Sequence, residues 1–180
     1  MVSVIIAADS QEKKFFTALR NILSRNFKSI QCVEGCVDAK SEDAGLFITD
    51  AVGLDFIYSS AAIFVFKDCT PIPAGFETTG GQVAIVDSGN NDAMKLVSST
   101  KMPAVTCGLS PCDTLTLSSL SEDSAVIGLQ RCITCFDGAV IEPQEIPVSL
   151  CAQVDSFTLL SAAAIFILTG NIKKLSQAEI

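Results

Sequence analysis

Val2-Ser-Val-Ile-Ile-Ala7 is an apolar, largely β-branched run, and it gives way to Asp9-Ser10 and then to Phe15, Phe16, Leu19, Ile22 and Leu23. The first spacing suits a strand and the second a helix with one apolar face. Ser10 fits an N-cap with Glu12 in the first turn, where unpaired amides and the helix dipole favour an oxygen or a negative charge. Strand, capped turn and helix form the opening unit of an α/β fold. Moving outward, residues 29–33, 45–49 and 61–66 read as short strands. The last two are nearly all apolar, which predicts strands buried on both faces in the middle of a parallel sheet.

Residues 69–81 hold Pro71, Pro73, Gly75, Gly80 and Gly81. That is loop composition, and it marks a sub-boundary inside what is otherwise expected to be one α/β domain over residues 1–180. Beyond it a second α/β unit is predicted. It comprises a strand at 82–86, a short helix capped by Asn90 or Asn91 and carrying Ala93, Met94, Leu96 and Val97, and, after Pro103, a strand through Cys107. Residues 113–120 alternate Thr114, Thr116 and Ser118 against Leu115 and Leu117, the period of a half-exposed strand, so the sheet is expected to turn antiparallel there. Residues 125–136 and 139–150 flank Asp137-Gly138, a dipeptide suited to a tight hairpin, with Pro143 and Pro147 placing the second arm at an edge. From Asp155 or Ser156 an almost wholly apolar helix is predicted to run to Leu168 and stop at Gly170, buried on all sides. The expected architecture is Rossmann-like: a mainly parallel sheet with flanking helices and an antiparallel hairpin excursion in the C-terminal half.

The composition excludes several functions. Twenty acidic against 12 basic residues leave a net charge of −8, which repels phosphate backbones and anionic lipid surfaces, so nucleic acid is not an expected partner. The run 157–169 falls short of the roughly 20 residues a membrane-spanning helix needs. The first residues lack a basic segment and a cleavage site, and a cytoplasmic location is expected. Eight cysteines in such a chain are expected to be reduced, apolar core residues. There is no histidine, which removes the commonest general base and metal ligand.

Two constellations compete for chemistry. Asp9, Asp50 and Asp68 each follow a predicted buried strand, and in an open parallel sheet such ends converge on the crevice where ligands sit. With Ser10 and Thr49 they make a candidate ligand site, and three carboxylates there would suit a hard cation such as Mg²⁺; turn-capping is the plainer use of the same aspartates. Cys107, Cys112, Cys132 and Cys135 have the pairwise spacing of a four-thiolate zinc site. Residues three apart on a strand face opposite ways, however, so Cys132 and Cys135 are expected not to meet one ion. Gly80-Gly81 precedes a strand instead of following one, and no Gly-Lys-Ser/Thr occurs, so no phosphate loop is formed.

From Gln82 to Ile172 the chain resembles the central domain of Mur ligases, the ATP-dependent enzymes that add amino acids to peptidoglycan precursors. The resemblance is carried by Gln82-Val-Ala-Ile-Val-Asp-Ser-Gly-Asn-Asn-Asp-Ala93, by Ala104-Val-Thr-Cys-Gly-Leu-Ser110, and by the helix with Ala162-Ala163-Ala164 and Gly170-Asn171-Ile172. The family's ATP loop is missing, and Val154-Asp155 stands where its His-Asn pair would begin the last helix. The resemblance implies a stripped relative, with the scaffold kept and the phosphoryl chemistry lost. No cofactor is then expected, and the role is the binding of a partner protein or a small metabolite. The alternatives are a Mg²⁺-dependent enzyme acting on a phosphorylated substrate in the acidic crevice, and a chain that works as a homo-oligomer, since its mean hydropathy is +0.46.

Overall fold

The computed structural model describes residues 1–7, 13–33, 36–39, 45–50, 61–67, 80–178 and 180. They fall into two compact units, Met1–Ala104 and Val105–Ile180. The division lies beyond the 69–81 segment, most of which is outside the described residues.

In the first unit the strands are β1 (Val2–Ala7), β2 (Ser29–Val33), β3 (Cys36–Ala39), β4 (Leu46–Asp50), β5 (Ala62–Phe66) and β6 (Gln82–Asp87), with helices α1 (Lys13–Asn26) and α2 (Asn91–Thr100). The sheet order is β6-β5-β1-β4-β2-β3. All neighbours are parallel except β2 and β3. The parallel sheet expected from the apolar runs is present, and every residue of β5 is buried. α1 buries Phe15, Phe16, Leu19, Ile22 and Leu23, the five positions the helical spacing selected. A core cluster joins Ile5, Phe64, Phe66, Val86, Ala93 and Met102. Phe64 and Phe66, two apart and so on one face of β5, stack with centroids 6.2 Å apart. The antiparallel β3 was not foreseen, because four residues are too few to show a period.

The second unit holds β7 (Ala104–Cys107), β8 (Leu115–Leu120), β9 (Ser124–Leu129), β10 (Ile133–Thr134), β11 (Val140–Ile141), β12 (Gln144–Ser149), α3 (Ser156–Leu168) and α4 (Ile172–Leu175). β7 and β8 are parallel, while β8–β9 and β9–β12 are antiparallel, so the switch of direction expected near 113–120 occurs there. The even alternation does not hold, since Leu115 and Thr116 are both buried and a bulge lies between Leu117 and Ser119. The long hairpin expected about Asp137-Gly138 is present, with a break in its ladder: β10 pairs with β11 next to the turn, and farther out β9 pairs with β12. Exposed Gln130 and Arg131 break one arm, and Pro143, without an amide hydrogen, breaks the other. Gly138 supplies the positive φ, +86°, and Asp137 Oδ1 accepts the Ala139 amide at 3.0 Å. β12 lies at the sheet edge, where Pro147 is tolerated.

α3 is capped by Asp155, whose Oδ1 accepts the Thr158 amide at 3.1 Å, and it buries every residue from Phe157 to Leu168. Gly170 follows at φ +72°. The apolar run is therefore a core helix. Among the described residues, no helix is long and apolar enough to cross a membrane.

Candidate functional site

In the first unit the chain builds β2, β3 and β4 on one side of β1 and then crosses to β5 and β6 on the other. That reversal places a topological switch point at β1, and the carboxyl ends of the strands around it are where an open α/β sheet receives ligands. The register aligns these ends: Ile6 stands opposite Asp50, Ala7 opposite Phe66, and Phe66 opposite Val86. Asp50 therefore lies at the switch point, at the end of β4. Thr49 beside it is buried, and its hydroxyl donates to the Asp50 carbonyl at 3.1 Å. The other three expected members, Asp9, Ser10 and Asp68, lie outside the described residues.

Further side chains line the same edge. Asp87 ends β6, and its Oδ1 accepts the Gly89 amide at 2.8 Å. Asn90 is buried and uses both ends of its amide: Oδ1 accepts the Ala93 amide at 2.9 Å, capping α2, while Nδ2 donates to the Lys67 carbonyl just past β5. Lys67 places its ammonium 5.2 Å from the centroid of the Phe15 ring on α1. The capping role of Asn90 is visible in the sequence. Its bond to Lys67 is not, because that partner lies 23 residues away.

The four cysteines of the zinc alternative are not brought together. Cys107 is buried at the end of β7, and Cys112 is exposed in the following turn. Cys132 is exposed and its thiol donates to Glu142 Oε2 at 3.1 Å, whereas Cys135 is buried and donates to the Ile167 carbonyl at 3.0 Å. The hydrogen bond to Glu142, chiefly, holds the Cys132 thiol above its usual range. Burial, helped by the Asp137 carboxylate, pushes Cys135 up. Neither is an activated thiolate. Among the described residues no group of three or more Cys, Asp or Glu is placed to hold a metal ion.

The chain is similar in fold to Mur ligases. The MurF ligase of Thermotoga maritima, solved in complex with ADP, matches 99% of this chain at 12% identity and a TM-score of 0.54, with 48% of the enzyme covered. MurF of Acinetobacter baumannii matches 99% of the chain at 13% identity and a TM-score of 0.53, with 45% of the enzyme covered. The UDP-N-acetylmuramate:L-alanyl-γ-D-glutamyl-meso-diaminopimelate ligase of Neisseria meningitides gives 10% identity and a TM-score of 0.56, with 66% of that chain covered. This chain thus spans about half the length of the MurF enzymes, and the likeness reaches well beyond the residues 82–172 that resemble the family in sequence. No protein-family description and no curated protein matches the chain.

Proposed function

We propose that the chain is a non-enzymatic Mur-ligase-like scaffold in cell-envelope metabolism, binding a small metabolite or partner protein at the carboxyl ends of β1, β4 and β5. The supporting observation is how the described polar groups at that edge are used. Thr49, Asp87 and Asn90 cap local backbone, and Lys67 lies against an aromatic ring. Side chains committed to holding the strand ends in shape suit recognition better than proton transfer, which needs a group able to change partners. The missing histidine and phosphate loop point the same way.

The rival is Mg²⁺-dependent catalysis with Asp9, Asp50 and Asp68 around the ion, which would supply Lewis-acid activation of a phosphorylated substrate. Its specific support is the position of Asp50 at the switch point. Thermal-shift titration with UDP-linked sugars, a ligand class suggested by the name of the Neisseria enzyme, separates the two. A ligand present at about 100 times its Kd stabilises by about 2.7 kcal/mol. The scaffold reading expects that gain without Mg²⁺. A gain seen only with Mg²⁺ and abolished by Asp50→Asn would replace it with the catalytic one.

A further inference from the structure

We propose that the solvent face of α1 is a docking surface for a short, carboxylate-rich polypeptide segment. Five of the chain's 12 basic residues, Lys13, Lys14, Arg20, Arg25 and Lys28, fall within residues 13–28, a segment with no acidic residue. The rest of the chain is the reverse, with seven basic against 20 acidic residues. At 3.6 residues per turn the four helical cations share an arc of about 140°, opposite Phe15, Phe16, Leu19, Ile22 and Leu23. Lys28 continues the stripe just past the helix.

Four of these charges are not spent on ion pairs within the described residues. Among the described residues no carboxylate lies within ion-pair distance of Lys14, Arg20, Arg25 or Lys28. The Arg20 guanidinium is instead 5.6 Å from the centroid of the Phe16 ring. A face shaped only by helix stability would carry Glu-to-Lys pairs along it, and residues 13–28 hold no acid. The platform is also held: the Ser24 hydroxyl donates to the Arg20 carbonyl at 2.6 Å, Gln31 Nε2 donates to Ser24, and the Gly45 amide donates to the Lys28 carbonyl at 2.8 Å.

Charge and length together select the occupant. The apolar side of α1 is buried, so the helix cannot lie in a bilayer interface. A long polyanion such as nucleic acid would run past the face, which is about 20 Å long, onto a chain that is otherwise strongly acidic. About six extended residues match that length. The inference does not rest on the strand-end reading, because its variants leave Asp50 and Asn90 untouched.

The test is fluorescence anisotropy of a labelled octaglutamate peptide with the full chain, alongside a single-stranded oligonucleotide and vesicles of anionic phospholipid. The peptide is expected to bind at low salt and to weaken as the Debye length shrinks. The triple variant Lys14→Glu, Arg25→Glu and Lys28→Glu should weaken it by at least about 10-fold, and the matching triple Gln variant by less. Circular dichroism checks that both are folded, and the Gln variant alone decides if the Glu variant is not. No peptide binding, unchanged affinity in the folded variants, or tighter binding of oligonucleotide or vesicles would each overturn the proposal.

Discussion

α1 and α3 are nearly equal in length, 14 and 13 residues, and meet their surroundings in opposite ways. α1 buries five residues along one stripe and turns a cationic face to solvent. α3 buries 12 residues all round, three consecutive alanines among them. The difference shows where each helix gets its stability. α1 depends on one seam, and its outer face is free to serve another purpose; α3 is stabilised by packing on every side, so nearly any change in it is felt.

The most severe way to break the contrast is Phe166→Ala in the middle of α3. It should cost about 3–5 kcal/mol in equilibrium urea unfolding, as large-to-small changes at filled sites do. A loss below about 1 kcal/mol would mean that α3 is not packed on all sides. Next in size is the start of the same helix. Asp155→Ala removes the acceptor for the Thr158 amide and should cost about 1 kcal/mol. α1 should answer with the opposite sign: Lys14→Glu places an acid in its first turn and should gain about 0.3–1 kcal/mol by the same assay. A loss there would show that Lys14 has a structural partner in the free protein.

Two smaller effects sharpen the account of α3. Its C-terminal carbonyls are met by the Cys135 thiol, which is buried and raised above its ordinary value of 9.0. Below that value the thiol is neutral in both folded and unfolded chains, and its contribution is complete. As pH rises past it the unfolded thiol ionises first, so stability falls, and Cys135→Ala should flatten that fall in a pH series of unfolding curves. The least change is expected at Ser161, whose buried hydroxyl has no hydrogen-bond partner among the described residues. Ser161→Ala should be neutral or slightly stabilising in a thermal melt, because no bond is lost and a desolvated hydroxyl is removed.

Much of the fold is legible in the sequence where the deciding forces act over a few residues. The buried face of α1, the full burial of α3, the caps at Asn90 and Asp155 and the positive φ at Gly138 and Gly170 all follow from local spacing or a single turn. The long hairpin also follows from Asp137-Gly138 and the runs that flank it; the break between its inner pair, β10 and β11, and its outer pair, β9 and β12, does not. Of the candidate site, the sequence placed Thr49 and Asp50 at a strand end. The register beside β1 came only with the fold.

By itself, then, the sequence determined most of the strands and the three longer helices, which helix faces are apolar, and that the chain carries neither histidine nor a phosphate loop. These are matters of composition and of periods close to 2 and 3.6. Tertiary structure decided the order β6-β5-β1-β4-β2-β3, the second bond of Asn90 to Lys67 and the bond of the Cys135 thiol to the Ile167 carbonyl. Each of these depends on which distant or competing partners meet, and pairing energy between segments leaves no period in either one.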